Sequence, residues 1–349
     1  QGVLHLASAL PADVEAIFAN VKMSITGLER PVQGLEHLES LLQEHTFDLI
    51  CITVLEGYFE GVVGLIQTLR ELGSRAHIAV GGVMPTLTPE HVALHTPEVS
   101  FVCRGAGEVF LPRLVGLVGG HTIDMPFSES MCSALLEMRG IVAIDRCGQR
   151  LIAADVHHTA QVSSLDRVQL NLSYLQPRHI VGGVEIATSR GCIHRCSFCS
   201  IMGRESYQAR SVGGVLEVLE AYQARFEEIW GTEIPPNAYR VHFADDDFAC
   251  DQERAKAFFP QLLTTPFRLS SVQVSVADLC VRENGRLLPI VDPEFLAVLR
   301  PECFADHGRP IPERDFVADF KSRNWSSFLQ LGVESYSDKE LIRLGKGYR

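Results

Sequence analysis

The segment Gly191-Cys192-Ile-His194-Arg-Cys196-Ser-Phe198-Cys199 places three thiols within eight positions. Thiolates are the ligands that suit iron–sulfur clusters and zinc. Gaps of three and two residues let one loop fold around a single inorganic centre. A four-iron cluster takes four ligands, so three cysteines leave one iron open to a substrate or cofactor. That is a catalytic arrangement rather than an electron-transfer one. Three other readings stand beside it. The thiols can be unrelated core residues. They can hold a structural zinc with His194 as fourth ligand, in awkward geometry. Cys196-Ser-Phe-Cys199 alone can be a thioredoxin-type redox pair, although Cys192 and the absence of a Pro-rich helix start speak against it.

The elements that must position this loop are legible around it. Val184-Glu-Ile-Ala-Thr188 predicts a strand leading into it. Leu216, Leu219, Tyr222, Phe226 and Ile229 recur at helical spacing over 214–230. Further strands are expected at Tyr239–Ala244, Ser271–Val276 and Phe328–Val333, with a helix over 255–263. The second of these four strands ends in Asp245-Asp246-Asp247. Carboxylates there can bind a ligand, or cap the next helix, whose first turn favours negative charge.

The first third alternates in the same way. Asp48–Leu55 reads as a strand buried on both faces. Leu35, Leu38, Leu41 and Leu42 precede it at helical spacing. Val62, Leu65, Ile66 and Leu69 follow, with Gly73 where a helix C-cap is wanted. Ala76–Val80 and Val99–Cys103 are the next strands, with a helix over 89–94 between them. This order predicts a doubly wound parallel sheet. Two of its strands run into glycine turns, Gly81-Gly82 and Gly105-Ala-Gly107-Glu108. Glycine at the carboxyl ends of parallel strands lets a backbone approach a ligand. The second turn lacks the third glycine of a dinucleotide fingerprint and follows a late strand, which argues against nicotinamide. The same turns can be mere tight connections. Residues 121–182 read as a linker that contains a hairpin, 140–144 with 150–153 around Asp145-Arg-Cys-Gly148. Cys51 and Cys103 fall inside strands and read as core thiols. Cys250, Cys280 and Cys303 share no common spacing, and a second cluster on these three is the alternative to separate thiols.

The whole chain has 349 residues, room for about two domains. Apolar residues at 46% and charged residues at 21% exclude a disordered or collagen-like chain. Forty-three acidic against 31 basic residues give a charge of -12, which disfavours nucleic acid as a partner. Ten cysteines without dense, even spacing do not make a secreted disulfide scaffold. The first residues lack a basic signal-peptide start, and the longest apolar run falls far short of the ~18–20 residues of a membrane helix. A cytoplasmic protein with no membrane partner is expected.

The cysteine loop resembles that of the radical S-adenosylmethionine enzymes. The resemblance implies that Cys192, Cys196 and Cys199 hold a [4Fe–4S] cluster whose open iron is chelated by S-adenosylmethionine. The aromatic Phe198 before the last cysteine matches the family. Asp245 and Asp246 match its aspartate-rich turn near the methionine amino group. Leu331–Gly347 is similar to its fourth strand and following loop, and would bring Glu334 and Ser335 to the nucleoside. Residues 34–118 resemble the cobalamin-binding domain that precedes the barrel in one large branch of these enzymes. Thr53, Val54, Gly81, Gly82, Gly105, Gly107 and Glu108 would then line the cobalamin. The Asp-x-His signature of a lower axial histidine is missing. The implied architecture is α/β: a Rossmann-like domain over 1–120, the linker, and a partial (β/α)6 barrel over 183–349.

The implied function is generation of a 5′-deoxyadenosyl radical, with cobalamin present, to methylate an unactivated carbon of a small-molecule or peptide substrate. An electron donor such as flavodoxin or ferredoxin would serve it. Rearrangement or cyclisation without methylation, and a non-catalytic cobalamin sensor, are the alternatives. The family's barrel has six strands, and four can be placed here. At ~30 residues per βα unit, two more do not fit, so the chain is expected to be a piece of a longer protein.

Overall fold

The computed structural model describes residues 2–19, 34–155, 159–180, 182–194, 196–201, 207–283, 286–305, 328–332, 337–344 and 346. The chain divides into two units, Ala9–Val162 and Gln1–Ser8 with Ser163–Arg349.

The unit Ala9–Val162 is built on one sheet in the order β1-β2-β3-β4-β5. Strands β1 (Leu49–Thr53), β2 (His77–Gly81) and β3 (Phe101–Cys103) are parallel, so their carboxyl ends share one edge. The helix Phe59–Glu71 between β1 and β2 buries Val62, Leu65, Ile66 and Leu69, the stripe its spacing predicts. It ends at Gly73, whose φ of 85° lets Ser74 N–H turn back to the Leu69 carbonyl at 3.0 Å.

Two expectations are corrected here. The run at β1 is not buried on both faces. Ile50 and Ile52 pack on the core, while Cys51 and Thr53, on the other face of the edge strand, are exposed. Cys51 is therefore no core thiol, whereas Cys103 is buried. A continuous apolar run does not reveal whether both faces find a partner. Nor does the hairpin stand in a linker. Strands β4 (Ile141–Asp145) and β5 (Arg150–Ala153) extend the first sheet, with β4 antiparallel to β3 at Phe101↔Ala143 and Cys103↔Ile141. Phe101 and Val102 are fully buried, and β4 supplies the pairing edge and apolar cover they need. Strand periodicity predicts the hairpin but not the sheet edge it joins.

The other unit holds a second sheet, parallel throughout, in the order β13-β10-β9-β6. Its strands are β6 (Val184–Ile186), β9 (Arg240–Phe243), β10 (Arg268–Ser275) and β13 (Phe328–Gly332). Two small antiparallel ribbons accompany it, β7 (Ser189–Arg190) with β8 (Gln208–Ala209), and β11 (Cys280–Glu283) with β12 (Arg286–Val291). The helix Val212–Trp230 starts at Ser211, whose hydroxyl accepts from Gly214 N–H at 3.0 Å. Its buried stripe is Val215, Val218, Leu219, Tyr222 and Phe226. Eight described phenylalanines fill the core: Phe226, Phe243, Phe248, Phe258, Phe259, Phe267, Phe295 and Phe304. Each contributes about 1.5–3 kcal/mol by leaving water. Leu172, Leu175 and Ile180, from the stretch expected to be linker, belong to this core too. The Trp230 ring packs on Phe226 at 5.7 Å as a core residue. Among the described residues no helix is long and apolar enough to cross a membrane.

Candidate functional site

Strands β6 and β9 are neighbours, paired at Ile186↔Phe243. The cysteine loop leaves the end of β6 and the three aspartates leave the end of β9, so the two motifs meet. Each aspartate then has its own task. Asp245 is 3% exposed and lies under the start of the loop. It accepts hydrogen bonds from Thr188 Oγ1 at 2.8 Å, from Thr188 N–H at 3.3 Å and from the Ser189 hydroxyl. Burial pushes its carboxyl up, and the Ser189 and Thr188 donors pull it back. Asp246 is half-buried and accepts from Gly191 N–H at 3.1 Å. Burial raises its carboxyl as well. Asp247 accepts from Ser275 N–H at 3.0 Å and so ties the end of β9 to the end of β10. It also accepts from Ala249 N–H and caps the short turn Phe248–Cys250. The cap of the following helix, Gln252–Leu262, is Asp251. The capping role therefore falls on Asp247 and Asp251, not on Asp245 or Asp246.

The loop is held at three further points. Gly191 has a φ of 78°, the left-handed turn that glycine makes at no steric cost. His194 Nε2 lies 2.6 Å from Asp278 Oδ2 and 3.7 Å from Asp247 Oδ2. Ser197 N–H donates to the Leu344 carbonyl at 2.9 Å. Phe198, 53% exposed, stands beneath Lys346 Nζ at 5.7 Å. Cys192 and Cys196 are buried and Cys199 is half-buried. Three thiols on one anchored loop suit the cysteine set of an iron–sulfur cluster. Glu334 and Ser335 lie outside the described residues.

Three residues of this site, Arg254, Asp278 and Cys250, carry no family signature in the sequence. Arg254 is 9% exposed, donates to Thr188 Oγ1 at 3.1 Å and lies 4.9 Å above the Phe248 ring. Its charge favours the ionised form of Asp245. Asp278 is fully buried, and no local pattern links it to His194, 84 positions away. Asp247 belongs to the acidic run and His194 to the cysteine loop, but the sequence does not tell what either touches. Cys250 does not join Cys280 and Cys303. Its Sγ instead lies 3.7 Å from Cys192 Sγ, while Cys280 bonds Val276 and Cys303 bonds Phe259 and Val298. The Cys250 hydrogen bond brings the Cys192 thiol down to about 6, and Cys250 itself is pushed up by that contact and by burial. Burial and then the Asp278 charge raise the Asp247 carboxyl to about 9.

In the other unit, the structure brings the glycine-turn residues to the carboxyl edge of β1, β2 and β3. Thr53 ends β1 and is paired with Gly81 at the end of β2. The Val54 side chain is fully buried, and its N–H donates to the Gly81 carbonyl at 2.8 Å, so it offers a ligand little. Gly82 has a φ of 106°, and a Cβ there would press on Thr53 Oγ1 at 2.9 Å. Gly105 has a φ of 84°, and a Cβ there would overlap the backbone of Ala160. Gly107 and Glu108 open the helix Gly107–Val118 and are half-buried. Two of the glycines are thus required by the chain itself. Gly105→Ala should cost about 1–3 kcal/mol in thermal unfolding, and equally with and without cobalamin. A variant as stable as its parent without cobalamin would refute this.

The family described as B12 binding domain matches residues 1–115. An anaerobic magnesium-protoporphyrin IX monomethyl ester cyclase of Synechocystis is 28% identical over 152 residues, which are 43% of this chain and 27% of that protein. An uncharacterised methyltransferase of Pyrococcus horikoshii is 21% identical over 285 residues, 72% of this chain and 56% of that protein. The chain thus spans about a quarter and just over half of these relatives' lengths. Among solved structures, the radical S-adenosylmethionine methyltransferase TsrM from Kitasatospora setae, with tryptophan substrate and aza-SAM bound, superposes with a TM-score of 0.53 at 15% identity. That match covers 85% of this chain and 58% of TsrM. A structure of the same enzyme with cobalamin and a [4Fe-4S] cluster bound gives 0.50 at 17% identity, over 77% and 50%. The likeness to TsrM is one of fold.

Proposed function

We propose that this chain, whose residues 1–115 are a B12-binding domain, belongs to a cobalamin-dependent radical S-adenosylmethionine enzyme that methylates an unactivated carbon. The observation that carries the reading is that the strand exit bearing the cysteine loop, from Thr188 to Cys192, meets the Asp245–Asp247 turn at the ends of two paired parallel strands. The TsrM fold and the Pyrococcus methyltransferase support it. Bound here, a [4Fe–4S] cluster would supply one electron to S-adenosylmethionine, and cobalamin would carry the methyl group.

The chain's own residues do the rest. Cys192, Cys196 and Cys199 are the thiolates that would hold the cluster. Asp245 fixes the backbone at Thr188 and Ser189 from beneath. Asp246 is half-buried at the loop's edge, where a carboxylate can face the methionine amino group. Phe198 offers an exposed ring beside the cluster loop, and Glu334 and Ser335 would approach the nucleoside. Thr53, Gly81, Gly107 and Glu108 are the edge residues left to meet cobalamin. The second sheet would be part of a (β/α)6 barrel. The substrate is a small molecule or peptide, reduction comes from a flavodoxin or ferredoxin, and the compartment is the cytoplasm. Ring closure without methyl transfer is the second reading, favoured by the similarity to the cyclase.

Reconstitution with iron and sulfide under anaerobic conditions tests the proposal. The wild type should bind about four irons and one corrinoid per chain, and cleave S-adenosylmethionine when reduced. Cys196→Ala should lose the iron–sulfur absorbance and the cleavage together. A Cys196→Ala protein that keeps the absorbance would overturn the cluster assignment. With a labelled methyl group, label in the product supports methylation, and label found only in methionine supports the second reading.

A further inference from the structure

We propose that Cys192, Cys250 and Asp247 form a binding site for a single thiophilic divalent cation, zinc in the first place, which competes with the cluster for Cys192. The ligand atoms of these three residues all lie within 4.8 Å of one another. The separation of the two sulfurs, 3.7 Å, carries the argument furthest. Zinc–sulfur bonds are about 2.3 Å in tetrahedral sites, which puts two thiolates on one ion about 3.8 Å apart. The pair already stands at that spacing. The Asp247 carboxylate adds a harder oxygen donor, and water can complete the tetrahedron.

The surroundings favour a cation independently. Asp278 and Asp247 are both buried, and they share the His194 imidazole between them. Two carboxylates and two sulfurs thus gather around one point, with the buried Cys192 on one side and the half-buried Cys250 on the other. A divalent ion would hold the deprotonated forms together, and the protons its ligands still carry would leave to solvent on binding. Cys196 and Cys199 are not in this set. The inference therefore divides cysteines that the sequence joins, and joins Cys192 to one that the motif leaves out.

Cys192 cannot serve both centres at once. Occupancy by zinc should block assembly of the cluster, a consequence that rests on the function proposed above. The zinc site does not.

The test is a titration of the full-length, cluster-free chain with zinc and with cobalt, anaerobically. The wild type and Cys199→Ala should each bind one zinc ion tightly, and their cobalt forms should show a thiolate-to-cobalt charge-transfer band of two-sulfur intensity. Cys250→Ser should bind at least tenfold more weakly, with that band reduced. Cadmium-113 resonance of the wild type reports the number of sulfur ligands without any substitution and should indicate two. Zinc bound as tightly by Cys250→Ser as by the wild type would overturn the proposal. So would loss of the site in Cys199→Ala, or a three-sulfur cadmium signal, which place the ion on the motif cysteines. In the iron arm, Cys199→Ala should fail to assemble a cluster and Cys250→Ser should assemble one. Iron in both would sink the cluster assignment while leaving the zinc result standing.

Discussion

Asp145→Ala should lower the stability of the chain by about 2–4 kcal/mol at neutral pH, at one to three per buried donor left unmade. Asp145 is 2% exposed at the end of β4. One carboxylate oxygen accepts from Gly148 N–H at 2.8 Å, which closes the turn to β5. The other accepts from Phe127 N–H at 3.1 Å and from the Arg150 guanidinium at 2.9 and 3.1 Å. Removing the side chain strands the Phe127 donor in a dry place and takes the acceptor from the half-buried Gly148 donor, a smaller loss. Arg150 is partly exposed and keeps its bond to Glu129, so its share of the loss is small. Burial pushes the Asp145 carboxyl up, but the Gly148, Arg150 and Phe127 donors more than offset it, and the group sits below its ordinary 3.8. The sign of the pH dependence follows. The unfolded carboxylate takes up its proton first as pH falls, so the contribution of Asp145 is present above pH about 4 and lost through the lower native value. Urea unfolding of parent and variant should therefore converge as the pH is lowered below 4. A gap that widens on acidification, or a variant equal to its parent at pH 7, would contradict this.

The same residue shows how far sequence reading reaches. Asp145-Arg-Cys-Gly148 between two apolar runs announces a hairpin, because turn residues between alternating segments are local chemistry. That its carboxylate is buried depends on Phe127, which arrives from a distant stretch. The helices were legible for the first reason: their buried stripes repeat at fixed spacing. Whether a strand face is covered is not local, and Cys51, apolar by its run, stands exposed. The candidate site divides likewise. Cys192, Cys196 and Cys199 announce themselves by spacing within one loop, and Asp245–Asp247 by their run. Asp278, Arg254 and Cys250 join them only because β6, β9 and β10 lie side by side. A parallel sheet brings together residues that are 58 to 84 positions apart, and no periodicity records which. From the sequence alone, only the resemblance to a known family puts the two motifs in one site.

That adjacency gives two neighbouring aspartates opposite expected behaviour. Asp245→Ala should destabilise the chain by about 3–5 kcal/mol, at one or more per buried donor left unmade, before any cofactor is added. It strips the acceptor from Thr188 N–H and from the Thr188 and Ser189 hydroxyls, all buried. Amide exchange should speed up at Ile186–Gly191, the strand exit that carries the cysteine loop, and iron uptake should fall with it. Asp246→Ala removes one hydrogen bond, to Gly191 N–H, at the edge of the site. Its cost should be about 1 kcal/mol, with iron uptake retained. If Asp246 faces the methionine amino group as proposed, S-adenosylmethionine affinity is what that variant loses. The pair thus separates an aspartate that builds the loop from one that binds beside it. Equal destabilisation by the two substitutions would mean that both are structural, and the aspartate turn would no longer argue for S-adenosylmethionine.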